Sequence, residues 1–140
     1  MKLTFRGLSL VVCLATLATT AGAHHSYTMY DIVNPISIKG KVLSYRYGNP
    51  HPILVVEETI EDGSARTWTF EGISTMMWNK RNLPKQIVTV GENVTVTGWP
   101  SRDGKSQMLL STIVRETGDK IVLLEKVMQR EARETAGLKP

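Results

Sequence analysis

The sequence predicts three strands, a short helix and two further strands between residues 36 and 115, and this order indicates a mainly β barrel. Apolar and polar residues alternate in the first and third strands, and turn sequences rich in glycine, asparagine and aspartate separate the strands. Gly40 and Gly98 lie inside strands, where glycine permits the bends that a small sheet needs to close. This order is that of a five-stranded OB-fold barrel. Five or six strands are few for the alternative, a two-sheet sandwich.

The first three strands are predicted at residues 36–47, 53–59 and 65–71. The sequence Gly-Asn-Pro-His-Pro at 48–52 ends the first strand, and we expect the first two strands to pair across it. The second strand begins with four consecutive apolar residues, which indicates burial on both faces. Glu-Asp-Gly-Ser at 61–64 is typical of a hairpin turn into the third strand.

A short helix is predicted between the third and fourth strands, at residues 74–80. Ser74 is a suitable N-cap, because its hydroxyl can accept a hydrogen bond from a backbone N–H of the first turn. Ile73, Met76 and Met77 recur with helical spacing, so we expect this face to pack into the core. A leucine–proline pair shortly afterwards ends the helix.

The second half of the barrel is predicted from two longer strands, at residues 94–99 and 108–115, and a short sixth strand at 121–124. Hairpin and turn sequences that contain glycine separate these strands. Residues 125–136 favour a helix, and the glycine that follows them is a suitable stop. The sequence therefore predicts a helical tail after the barrel.

The N-terminal residues have the pattern of a secretory signal peptide. Lys2 and Arg6 precede an apolar run at 8–17, and small residues then lead to an A-x-A cleavage site that ends at Ala23. The apolar run is too short to span a bilayer, which disfavours the alternative of a membrane anchor. A valine before Cys13 disfavours lipid attachment there. We therefore expect export into the periplasm.

Cleavage after Ala23 would leave an arm at residues 24–35, a barrel domain at 36–124 and a tail at 125–140, once the signal peptide at 1–23 is removed. The mature protein would lose two positive charges from a net charge of +4, and a nearly neutral chain disfavours nucleic-acid binding. The only cysteine leaves with the signal peptide, so a disulfide is excluded. We expect no stable membrane insertion after cleavage.

The three histidines occupy positions that suggest a copper site. His24 would become the first residue of the mature chain, His25 follows it, and His51 lies in the Asn-Pro-His loop. An N-terminal histidine offers its α-amino group and its imidazole, and a further imidazole completes a nitrogen set that suits copper(II). His51 can supply that imidazole if the arm folds back, and Asp31 can then orient an imidazole as an outer hydrogen-bond partner. Alternatively, His25 chelates copper locally with the terminal amine and a deprotonated amide.

The same residues can also have roles that need no metal. The two N-terminal histidines can be surface residues without a ligand, and His51 can serve only to bond the loop backbone. Met29, Met76 and Met77 are soft donors suited to copper(I), but methionines with helical spacing are more often core residues.

Four aromatic residues on neighbouring strands form a second candidate site. Tyr45, Tyr47, Trp68 and Trp99 would lie near one another in an OB-fold barrel, whose face can bind ligands by stacking. The favoured alternative places Trp68 in the core and Trp99 at a strand edge, because aromatic side chains are usually buried.

Three classes of function therefore remain. The first is a small exported protein that binds or delivers copper through the mature N-terminus and the Asn-Pro-His loop. The second is a metal-free module that binds another periplasmic protein through the barrel face. The third is a copper-dependent oxidative enzyme, although no catalytic residues are predicted, because the carboxylates form no visible pair and no nucleophile motif occurs.

Several sequence blocks together resemble a family of small secreted bacterial proteins of unknown function. These blocks are Ala23-His24-His25-Ser26 with Tyr30-Asp31, Gly40-Lys41-Val42 with Asn49-Pro50-His51, Asp62-Gly63 with Trp68, Glu71 and Ser74, and Val94 through Gly98 with Arg102-Asp103-Gly104. The resemblance spans residues 23–124, and its most specific parts are the A-H-H-S start and the N-P-H loop. It departs at residues 78–90 and in the tail. The resemblance implies no established activity, but it implies a link between the two histidine blocks.

Overall fold

A computed structural model of the protein describes residues 27–124 and Gly137. The predicted signal peptide, His24, His25 and the predicted C-terminal helix lie outside the described residues. Among the described residues, no helix has the length and apolar character that a membrane span requires.

The described chain consists of six strands and one short helix in the predicted order. Their bounds are β1 Ile36–Arg46, β2 Ile53–Thr59, β3 Ala65–Glu71, α1 Thr75–Lys80, β4 Asn93–Pro100, β5 Gln107–Arg115 and β6 Lys120–Val122. The second and third strands have the predicted bounds, and the others differ by one or two residues.

The first five strands close into a barrel. The strand order is β3-β2-β1-β4-β5-β6, and an additional parallel pairing of β3 with β5 joins the ends of the five-stranded unit. In that pairing Thr69 opposes Gln107 and Glu71 opposes Leu109. The strand β1 pairs with β2 across the Asn-Pro-His loop, as the sequence predicts. The five-stranded, OB-fold-like barrel with one helix between β3 and β4 is thereby confirmed.

Two glycines allow the strands to approach closely inside the barrel. Gly40 pairs with both β2 and β4, and a Cβ atom at this position would lie 2.2 Å from the backbone oxygen of Glu57. At Gly98 a Cβ atom would lie 2.6 Å from the backbone oxygen of Leu109, and the register between β4 and β5 shifts between Thr97 and Gly98. Any larger residue at either position would push two strands apart.

The helix α1 begins at the predicted cap but buries a different side chain. The hydroxyl of Ser74 accepts a hydrogen bond from the N–H of Met77 at 3.3 Å. Ile73 is buried as expected, but Met76 is 75 % exposed and Met77 is 37 % exposed. Trp78 is fully buried, and its indole N–H donates to the carbonyl of Pro84 at 3.1 Å. The prediction that both methionines pack into the core is therefore wrong, because the largest apolar side chain of the helix occupies that space.

The described part of the arm is fastened to the end of the β4–β5 hairpin. The N–H of Asp31 donates to the carbonyl of Pro100 at 2.8 Å, and the N–H of Arg102 donates to the carbonyl of Met29 at 2.8 Å. Tyr30 forms an isolated bridge with Ser101, and its side chain is 2 % exposed in the core. These contacts bring the N-terminal arm to the end of the barrel that carries the Asn-Pro-His loop.

Candidate functional site

The Asn-Pro-His loop is held by the chain that leaves β3 and enters α1. The carbonyl of Pro50 accepts a hydrogen bond from the N–H of Thr75 at 3.1 Å, and the carbonyl of Pro52 accepts one from the N–H of Gly72 at 2.8 Å. The hydroxyl of Thr75 also donates to the side-chain oxygen of Asn49. Backbone bonds on both sides of His51 therefore hold the loop backbone that carries its imidazole.

The Nδ1 atom of the His51 imidazole faces the barrel. Nδ1 lies 2.9 Å from the carbonyl oxygen of Gly72 and 3.3 Å from Oε1 of Glu71, and the side chain is 27 % exposed. A carbonyl oxygen only accepts hydrogen bonds, so Nδ1 carries the proton. In the neutral ring, the lone pair then resides on Nε2, and a metal would bind through that atom.

Glu71 connects this imidazole to the N-terminal arm. Its Oε1 faces His51, and its Oε2 accepts a hydrogen bond from the hydroxyl of Tyr30 at 2.9 Å. The side chain of Gln107 donates to the same hydroxyl at 3.2 Å. Burial, and then the hydrogen bond to Glu71, raises the pKa of Tyr30 above its ordinary value, so the phenol stays a donor at neutral pH. We call these three residues the Tyr30–Glu71–His51 cluster.

Asp31, the predicted orienting carboxylate, is engaged within the arm itself. It accepts hydrogen bonds from the side chain of Asn34 at 2.8 Å and from the N–H of Val33 at 3.2 Å. These two bonds, in that order, hold the pKa of Asp31 below its usual range. The carboxylate that adjoins His51 is that of Glu71, for which the sequence indicated no partner.

The structure describes one histidine of the predicted copper ligand set. His51 is the one histidine within the described chain, and His24 and His25 lie outside it. Among residues 27–124 and 137, no group of three His, Cys, Asp or Glu side chains is arranged to hold a metal ion. The described residues thus provide one imidazole with an orienting carboxylate, and the rest of the predicted set stays a prediction.

The four aromatic residues of the second candidate site differ in their exposure. Trp68 is 7 % exposed and Trp99 is 4 % exposed, and both belong to the core. Tyr45 and Tyr47 are half-buried, and their hydroxyls donate to the carbonyl of Lys85 at 2.9 Å and to the side chain of Asn79 at 2.8 Å. Of the four residues, the two tyrosines are therefore those that are partly exposed.

A model of a protein family of unknown function, DUF6152, matches residues 11–110. The chain belongs to DUF6152. The DUF6152 match includes all three members of the Tyr30–Glu71–His51 cluster, together with His24 and His25. The predicted membership in a family of unknown function is confirmed, whereas secretion and the two shared histidine motifs stay predictions. No curated protein matches the sequence. No solved structure matches it either.

Proposed function

We propose that this DUF6152 protein is exported to the periplasm and binds copper(II) there. The site consists of the α-amino group and imidazole of His24 with the Nε2 atom of His51, and His25 is a further candidate ligand. One observation carries the proposal. His51 is held through Nδ1 by Gly72 and Glu71, and Glu71 also binds the arm that leads to His24.

The donor chemistry supports copper in particular. Among divalent first-row metals, copper(II) has the highest affinity for nitrogen ligands, and a mature N-terminal histidine supplies two of them from one residue. A metal-binding histidine usually donates its other ring N–H to a carbonyl or a carboxylate, and Nδ1 of His51 has one of each within 3.3 Å. The partners of His51 are therefore those expected around a metal ligand.

The length of the arm is compatible with this ligand set. His24 precedes Tyr27 by three residues, and three extended residues span at most about 10 Å. Tyr30, three residues further along, donates its hydroxyl to the same carboxylate that faces His51. A short tether of this kind favours capture of copper between the terminus and the loop, because it keeps the two sets of donors at a high local concentration.

A copper(II) titration of protein that begins at His24 tests the proposal. We expect His51→Ala to weaken binding by at least about tenfold, since loss of even an outer partner of a ligand costs that much. Acetylation of the α-amino group of His24 should weaken binding as well, because it removes that nitrogen from the set. Each variant is first shown to have the unfolding midpoint of the parent, so that lost binding is not lost folding.

His25→Ala distinguishes the proposed site from a local N-terminal chelate. In the proposed site His51→Ala has the larger effect, whereas in a local chelate of the amine, an amide and His25 the larger effect belongs to His25→Ala. Unchanged affinity in His51→Ala would contradict the proposal. If His25→Ala also leaves the affinity unchanged, the metal-free interaction module becomes the better hypothesis. The third alternative, a copper-dependent oxidative enzyme, additionally requires substrate turnover by the copper-loaded protein.

A further inference from the structure

We infer that Tyr30 and Glu71 are positioning residues that couple docking of the arm to the imidazole of His51. Their bond thereby selects which nitrogen donors reach the copper ion. We expect copper to bridge the terminus and His51 when the arm is docked, and to bind at the terminus alone when the arm is released. This inference rests on the proposed function for its copper part, but the coupling itself is a property of the metal-free protein.

Glu71 suits this role because its two oxygens serve two different segments of the chain. Oε1 adjoins Nδ1 of His51 at 3.3 Å, and Oε2 accepts the hydroxyl of Tyr30 at 2.9 Å. The Glu71 side chain is 22 % exposed, so it is partly shielded from water. Because the two oxygens have different partners, a movement of the carboxylate toward one partner lengthens its bond to the other. A change at Tyr30 therefore reaches His51, and a change at His51 reaches Tyr30.

Tyr30 suits this role because its side chain and its backbone both fasten the arm. The ring is 2 % exposed, and its hydroxyl accepts from Gln107 while it donates to Glu71. The Tyr30 carbonyl accepts a hydrogen bond from Nε of Arg102 at 3.0 Å. Tyr30 therefore anchors the arm inside the end of the barrel, and its hydroxyl binds the carboxylate that lies beside His51.

Linkage makes the coupling reciprocal. If docking of the arm strengthens copper binding, then copper must strengthen docking by the same factor. Copper bound between His24 and His51 should therefore slow hydrogen exchange at the arm. The informative amides are those of Asp31 and Arg102, which donate to Pro100 and Met29.

The first experiment measures hydrogen exchange of these two amides without metal. Tyr30→Phe keeps the buried ring but removes the donor to Glu71, and Glu71→Gln leaves one acceptor oxygen in place of two. We expect both variants to exchange faster than the parent, by about fivefold or more. Asn34→Ala is the matched control, because it removes another side-chain bond of the arm, to Asp31, without touching Glu71.

The second experiment adds copper(II) and follows the ring protons of His51 by NMR, since the paramagnetic ion broadens the signals of residues that bind it. In the parent, substoichiometric copper should broaden the His51 ring signals and slow exchange of the arm amides. In Tyr30→Phe the broadening at His51 should diminish while that at His25 persists, and the affinity should fall by about fivefold or more. A purely structural role of Tyr30 would not move the copper from one histidine to another.

The outcomes separate this inference from the proposed function. If Tyr30→Phe leaves amide exchange unchanged, the coupling is wrong, even where His51→Ala still weakens copper binding. If the variant frees the arm but His51 is broadened as in the parent, Tyr30 only stabilises the arm and the inference is again wrong. If the arm responds to both variants but copper never broadens His51, the coupling holds and the proposed copper site fails.

Discussion

His51 directs one ring nitrogen into the barrel end, so its chemistry depends on the protonation of the other. A proton and a copper ion compete for Nε2 and for the α-amino group of His24. We expect copper(II) affinity to fall with falling pH, because protons displace the metal from both nitrogens. Titrations at several pH values check this, and His51→Ala should show a shallower dependence because one competing nitrogen is gone. A slope that is unchanged in His51→Ala would exclude this imidazole as a ligand.

Close packing at single glycines gives a prediction that is independent of any ligand. Gly40→Ala would place a Cβ atom 2.2 Å from the backbone oxygen of Glu57, which cannot move without separating two paired strands. We expect a loss of about 1–3 kcal/mol in the free energy of unfolding, measured in urea. Gly48→Ala is the matched control, because its Cβ would meet only the end of the Arg46 side chain, at 2.7 Å. Equal losses in the two variants would contradict this prediction.

The sequence identified His51 as a candidate residue but did not identify the carboxylate that lies beside it. A histidine between prolines in a loop was recognisable as a candidate because its position is local information. Glu71 had no visible partner, because its contacts to His51 and Tyr30 depend on how the strands pair and on where the arm docks. Asp31 was the nearest carboxylate along the arm, but the short loop that follows it supplies its bonds instead. Distant pairs of this kind require the fold.

At the scale of elements, α1 shows how little helical spacing says about a helix of six residues. The cap at Ser74 was predictable, since it depends on one residue and its neighbours. The buried face was not predictable in this way, because two methionines and a tryptophan in succession fit several orientations. The bulk of the Trp78 ring and its bond to the Pro84 carbonyl fix the orientation observed.

The observed orientation of α1 predicts effects of very different size for substitutions at Trp78 and Met76. Trp78→Ala should lower the free energy of unfolding by about 3–5 kcal/mol, because it empties a buried site. Met76→Ala should change it by less than about 0.5 kcal/mol, because the side chain is 75 % exposed. Urea unfolding measures both, and Trp78→Phe supplies a milder variant if the alanine form does not fold. A larger effect at Met76 than at Trp78 would mean that the helix is rotated.

At the scale of the whole molecule, the barrel was predictable because strand bounds, turns and the bending glycines all point to the same architecture. The order of elements indicated the pairing of β1 with β2, which the structure confirms. The closure of the barrel is harder to predict from the sequence, since β3 and β5 pair over only three residues and in parallel. Such a short pairing follows from the shape of the closed sheet rather than from any local pattern.

The mature form of the molecule is itself a prediction. If signal peptidase cuts after Ala23, intact-mass measurement of protein from the periplasmic fraction should give a chain that begins at His24. This is the form in which an α-amino group joins an imidazole on one residue. A mass that shows a retained Met1, or a lipid at Cys13, would refute both the predicted export to the periplasm and the proposed ligand set.

The stability of the whole barrel should depend on pH through an ion pair that joins the turn before β4 to β5. Glu92 accepts hydrogen bonds from Nε of Arg115 at 2.6 Å and from the N–H of Thr89 at 2.9 Å, and its side chain is 10 % exposed. The Arg115 bond, more than any other cause, holds the pKa of Glu92 below its ordinary value. The folded state therefore favours the ionised carboxylate.

A carboxyl group whose pKa is lowered by folding stabilises the protein above its unfolded pKa, about 4.3 for glutamate. That stabilisation is lost as pH falls from there through the folded pKa. We expect Glu92→Gln to be less stable than the parent at pH 7 and to lose less stability on acidification. Urea unfolding across this range measures the difference. Arg115→Gln should flatten the profile similarly, and the double variant should flatten it little further, because both changes remove the same pair. Additive effects would show that the two side chains act independently.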